Sequence, residues 1–425
     1  MKVANQNECQ AGFECVGFWL FCFSTLFMVF FSVKAIHFWP SPWGMISVVT
    51  FCVLPWIFFL PSISWRRIFL INISKLGLLT MLIVLFGILN ISFNEEREIT
   101  RKAMVLFLIS GVSVFGMGLV YLNESKRWHI FFTLITFCFA ALCVYGLYEG
   151  FNYYSVPHVF AGYPIMLFYD NAIPAASILI LLSIGPLYIL YFSGENWKKN
   201  IAVVCLFLGV LVILLIGERG SILSVVSMIL IWGLFFKKFR ILLISVIIIS
   251  SLSFYFKDQL PGVHKDKLTY WGGLVYRIEA FSLAGVIVHN NPLWGIGLGN
   301  NVGDYIPVDY EVVIYPSNPD GALGFVEAFK VSNSLDNMLL CFLGEAGVLF
   351  TLLNIFFWVY VFYKVFLAYR KNIFPSAWIK ILVMVLAGFF IHSMSFDSLK
   401  FPPLNWMLNS IFAISFNLKF AKHVR

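Results

Sequence analysis

Hydrophobic runs of some twenty residues alternate with short polar connections from Val16 to Leu418. Each run can cross about 30 Å of hydrocarbon as a helix, which satisfies its own backbone hydrogen bonds where no water is present. The pattern predicts twelve spans, near 16–36, 44–61, 68–92, 103–122, 129–149, 174–193, 200–216, 220–236, 240–256, 337–366, 376–395 and 401–418. The alternation breaks at 257–336, a stretch rich in polar residues, Gly and Pro. The chain thus divides into a transmembrane region, 1–256, a large loop, 257–336, and a second transmembrane region, 337–425.

The loop carries a helical pattern of its own. From Gly273 to Val288, residues Ile278, Phe281, Ala284, Gly285 and Val288 fall on one apolar face, as in a helix lying along a membrane surface and presenting Arg277 to a lipid head group. Asn291-Pro292-Leu293-Trp294-Gly295-Ile296-Gly297-Leu298-Gly299 follows, a G-x-G-x-G run without the βα context of a nucleotide loop. Its glycines predict a close backbone approach, to the membrane or to a substrate. A long loop with internal structure is more often functional than merely connecting.

Composition agrees with this architecture. With 60% hydrophobic and 12% charged residues the chain has no soluble surface. The net charge of +8 would suggest nucleic acid in a soluble protein, but here the basic residues sit between spans and set topology. Arg66-Arg67, Lys126-Arg127, Lys198-Lys199, Lys237-Lys238-Phe239-Arg240, Arg370-Lys371 and the C-terminal tail all fall on one side, predicted cytoplasmic together with both termini. The large loop then faces outward, to the periplasm of a Gram-negative host, away from ATP and nucleotide sugars. None of the eight cysteines lies in the loop, and neither a disulfide framework nor a metal site is predicted.

Five positions carry candidate chemistry. Arg219, in Gly217-Glu218-Arg219-Gly220, puts a guanidinium at the outer boundary, where it either pairs locally with Glu218 or snorkels, or clamps an anion such as pyrophosphate. Arg277 is either a solvated charge or a second clamp. Asp336-Asn337 stands where the loop re-enters the bilayer, and Asp336 is either a helix cap or the acceptor of a proton from a sugar hydroxyl. His392 closes the eleventh span beside Asp397, and a lone histidine there is more often a structural hydrogen-bonder than a catalyst. His289 is a weaker candidate of the same kind.

These residues resemble the superfamily of O-antigen polymerases and O-antigen ligases. Glu218-Arg219-Gly220 is similar to its Ser/Thr-Arg-Gly/Ala turn. The Arg277 helix with Asn291-Pro292-Leu293-Trp294-Gly295 resembles its loop signature, and Asp336-Asn337 with Gly347 matches the spacing of its His-Asn re-entry motif. The resemblance implies an all-α polytopic fold of about 12 transmembrane helices, GT-C-like, with a large helical periplasmic loop in the inner membrane, and a glycosyltransferase without metal or other cofactor. It implies a glycan on undecaprenyl pyrophosphate as substrate, with Arg219 and Arg277 on the pyrophosphate and Asp336 in the place of the ligase histidine; Asn337, His289 and His392 are the further residues expected to bind substrate. A chain-length regulator and a flippase in the same membrane are the expected partners, and nucleic acid is not one. Aspartate in place of histidine tilts the expectation to a polymerase. A ligase acting on lipid A-core is the alternative, and a polysaccharide flippase a more distant one.

Overall fold

A computed structural model describes residues 2–31, 43–58, 73–94, 96–155, 167, 169, 172–235, 272–300, 302–306, 335, 337–370, 376–394 and 398–417. Among these the chain is all-helical, without a strand. The helices are α1 (Lys2–Phe30), α2 (Trp43–Val53), α3 (Ile73–Phe93), α4 (Arg97–Ser110), α5 (Val112–Tyr121), α6 (Ser125–Ser155), α7 (Ala172–Leu182), α8 (Ile184–Phe192), α9 (Asn196–Ile216) and α10 (Arg219–Phe235), then α11 (Gly272–Asn290), α12 (Met338–Cys341), α13 (Gly347–Arg370), α14 (Ser376–Ser393) and α15 (Pro402–Phe416).

Seven helices among the described residues are long and apolar enough to cross a membrane, and three shorter apolar ones, Met45–Phe58, Leu78–Phe93 and Arg219–Phe235, stand with them. The chain is a multi-pass membrane protein. Eleven of the twelve stretches predicted as spans contain helix, and the remaining one, 240–256, lies outside the described residues. Large side chains such as Met81, Phe207, Leu234 and Phe356 point outward from their helices, as lipid-facing residues do.

The hub of the bundle is α15, in which all fifteen residues are buried. Phe401 precedes it at the N-cap with Pro402 and Pro403 in its first turn, where a missing N–H costs nothing. Lipid tails are as apolar as leucine, so polar side chains and small residues must hold it in place. The Asn405 amide donates to Phe107 O at 2.9 Å, Asn417 to Leu122 O at 2.8 Å, and the Trp406 indole to Thr25 Oγ1 at 3.0 Å. Gly111 and Gly118 admit the close approach: a Cβ would stand 2.6 Å from the Asn405 amide at the first and 2.6 Å from Ala413 Cβ at the second.

The helix predicted at Gly273–Val288 is present as α11, with a different buried face. Ala280, Leu283, Ala284 and Ile287 pack with Ile296, Val302, Leu335, Leu340 and Cys341 in a small core of their own. Ile278 and Phe281 are exposed on the other side. The sequence marked one apolar face, whereas the helix has two, and the alanine-rich one docks on the protein because it allows closer packing.

Candidate functional site

The segment after the loop does not enter the bundle as one regular helix. Asn337 caps α12: its Oδ1 accepts from the backbone N–H groups of Leu339 and Leu340 at 3.0 and 3.2 Å, and its Nδ2 donates to Met394 O at 3.0 Å. One turn later the chain widens into a π-helix, Phe342–Ala346, which ends at Gly347 with φ of +83°. Widening of this kind takes carbonyls out of the regular ladder, and here the loop uses them. Ile296 N–H donates to Gly344 O at 3.0 Å, Gly297 N–H to Glu345 O at 2.7 Å, and the Asn90 amide of α3 to Ala346 O at 3.3 Å. Val348 N–H returns the exchange to Pro292 O at 2.9 Å.

The glycines follow from this stitching. At Gly347 a Cβ would lie 2.1 Å from Leu293 O, and at Gly295, whose φ is +63°, 2.5 Å from Gly344 O. The close approach predicted for the G-x-G-x-G run is therefore made within the protein, by Gly295 to the backbone of the re-entry helix and by Gly297 and Gly299 to Thr100 and Ala103 of α4, rather than to membrane or substrate. Trp294 lies flat against α3, its ring centroid 4.8 Å from that of Phe93 at an interplanar angle of 17°.

Glu345 closes the joint. Its side chain is fully buried; one oxygen accepts from Gly299 N–H at 2.8 Å and the other pairs with Lys400 Nζ. Neither Glu345 nor Lys400 stood out in the sequence. A carboxylate eight residues into an otherwise apolar span, and a lysine just before Pro402-Pro403, were the available signals.

Beside this joint lies a second polar cluster. Glu218, in the turn between α9 and α10, is buried and turned inward. Its carboxylate accepts from Gly220 N–H at 2.9 Å and from Ser221 N–H, and stands 3.2 Å from His392 Nε2, while His392 Nδ1 is 2.7 Å from Ser177 Oγ on α7. Burial raises the pKa of Glu218, but the imidazole and the two amides outweigh it and bring it to about 2. His392 is completely buried, so its contacts are with Ser177 and Glu218. Arg219 follows as the first residue of α10, with its side chain exposed.

The structure thus brings together the Glu218-Arg219 turn, the end of α14 with His392 and Met394, and Asn337. Asn337 is joined to the end of α14 through Met394 O, and the next residue, Met338, stands with its Sδ 3.7 Å from Ser398 Oγ just beyond α14. Arg277 is half-buried on α11, whose buried face packs with Leu340 and Cys341 of the re-entry helix. His289 is exposed at the end of α11. Asp336 lies outside the described residues. Among the described residues no group of three His, Cys, Asp or Glu is placed to hold a metal ion. A cleft of about 500 Å³ opens beside Trp294.

No protein-family model matches the chain, and no curated protein matches it either.

Proposed function

We propose that the protein is a polymerase of O-antigen or a related surface polysaccharide, a membrane glycosyltransferase that moves a glycan from undecaprenyl pyrophosphate onto a sugar hydroxyl of a second lipid-linked repeat unit. The observation that carries the reading is the convergence of an exposed arginine at the head of α10, the capped re-entry helix at Asn337 and the loop pinned upon it. The motifs that suggested the family lie far apart in the chain and meet at one end of the bundle. In this reading that end faces the periplasm, with both termini in the cytoplasm of a bacterial inner membrane.

The chemistry follows from charge. The bond between the donor sugar's anomeric carbon and the pyrophosphate oxygen breaks, an acceptor hydroxyl oxygen takes its place, and undecaprenyl pyrophosphate leaves with the negative charge. Arg219 and Arg277 meet that charge with forked N–H donors, the largest contribution to be expected where charge builds. Asp336 takes the hydroxyl proton. His289 holds the sugars, Asn337 fixes the start of the re-entry helix through its cap, and His392 acts through Glu218 by fixing the turn that aims Arg219.

The test is the lipopolysaccharide pattern of a deletion strain on a gel. A single repeat unit on the core supports the polymerase. Core without any repeat unit, with lipid-linked polymer accumulating, identifies the ligase alternative. Loss of both, with single lipid-linked units held on the cytoplasmic face, identifies a flippase.

A further inference from the structure

We propose that the cleft beside Trp294 is a saccharide subsite for neutral sugar units, which deepens the glycosyltransferase reading and rests on it for the identity of the glycan. The cleft holds about 500 Å³, inside the range of about 300–1,000 Å³ usual for small-ligand sites and roomy enough for a short oligosaccharide. Its polar wall is made of amides and a phenol: Asn94 from the end of α3, Asn290 and Asn291 from the end of α11, and Tyr305 from the 3-10 turn Val302–Tyr305. Its apolar wall includes Trp294 and Phe93, stacked on each other. Among the described residues that line it none is charged.

That donor set selects a ligand class. A carboxamide offers both donors and acceptors, as a sugar hydroxyl does, so three amides and a phenol can satisfy a polyhydroxylated ring in either sense. A phosphate or carboxylate ligand would call for Arg or Lys, and those stand elsewhere, at Arg219 and Arg277. The Phe93 ring, stacked on Trp294 and otherwise exposed, provides a flat apolar surface against which the C–H face of a sugar can rest. The lining is also held in place, as a recognition site requires. Asn291 N–H donates to Ile287 O at 2.9 Å, Gly295 N–H to Asn291 O at 3.0 Å, the Asn90 amide to Trp294 O at 2.5 Å, and the Asn94 amide to Asn90 O at 2.7 Å. The division of labour is then spatial: arginines for the charged lipid end, the amide cleft for sugars.

The experiment is saturation-transfer NMR on the full chain in phosphatidylethanolamine–phosphatidylglycerol nanodiscs, with maltotriose, chitotriose and mannotriose as probes and inorganic pyrophosphate as competitor. At least one neutral trisaccharide should receive saturation. Asn290→Ala and Asn291→Ala, whose side chains are exposed and whose backbone bonds are unchanged, should each weaken that binding about fivefold, the loss expected for one net hydrogen bond, with unaltered elution of the nanodisc complex. Pyrophosphate should leave the signal untouched. No transfer to any of the three sugars, equal binding by both variants and wild type, or displacement by pyrophosphate would each overturn the subsite. Because the free sugars need no turnover, a protein that binds them but builds no polymer from lipid-linked units would refute the transferase and leave the cleft standing.

Discussion

Replacing Lys400 by methionine removes the ammonium that pairs with Glu345 while keeping most of the side-chain volume. Glu345 is fully buried and Lys400 keeps 19% of its side chain accessible, so the carboxylate is left with the Gly299 N–H at 2.8 Å as a remaining donor. Breaking a buried pair from one side costs about 3–5 kcal/mol, because the uncompensated charge stays behind. The partial exposure of Lys400 admits some water and puts the expected loss at the lower end, about 3 kcal/mol. The loss should be local first: Ile296, Gly297 and Gly299 donate to the re-entry segment through this joint, so their amides should exchange faster in deuterium while α15 stays protected. Hydrogen exchange of the peptide covering 291–300, with unfolding in detergent micelles as the global measure, reads both. Adding Glu345→Gln to Lys400→Met removes the stranded charge and keeps an acceptor for Gly299, so the double variant should regain a large part of the loss. A single variant within about 0.5 kcal/mol of wild type, or a double variant no better than the single, would refute the claim that this pair holds the loop on the helix.

Arg219→Ala and Arg277→Ala should each abolish long-chain polysaccharide with the protein still in the membrane, as read by gel and immunoblot; normal chain lengths in both would sink the pyrophosphate clamp. Asp336→Ala should stop chain growth, and full activity would remove Asp336 from the reaction, since Asn337 already caps the helix. Gly295→Ala should destabilise the protein by at least about 2 kcal/mol, since the added Cβ adopts a positive φ and meets the Gly344 carbonyl. Gly285→Ala, on an open face of α11, should be neutral or stabilising by up to about 1 kcal/mol, and thermal unfolding of the two variants compares them directly.

Much of the fold was legible because span length and hydropathy are properties of single segments. The positions of α11 and of the re-entry point at Asn337 came out within a residue or two for the same reason. What could not be read was which groups meet. The alanine-rich face of α11 looked less apolar than the one through Ile278 and Phe281, yet close packing favours small residues. Glu345 did not stand out in the sequence, because the π-turn that positions it and the Lys400 that pairs with it are not marked by its neighbours. His392 was weighed both as a hydrogen-bonder and as a substrate-binding residue; it is fully buried, and its partners Ser177 and Glu218 lie 215 and 174 positions away in the chain, with no periodicity to link them. The amide cleft was invisible for the same reason, being assembled from the ends of α3 and α11 and the 3-10 turn.

The central claim is glycan transfer from a lipid pyrophosphate, and reconstitution measures it most directly. Purified protein in proteoliposomes, given undecaprenyl-pyrophosphate-linked repeat units with EDTA present and no nucleotide, should yield a ladder of longer lipid-linked glycans and free undecaprenyl pyrophosphate in step. Unchanged single units, or units merely moved across the bilayer, would contradict it.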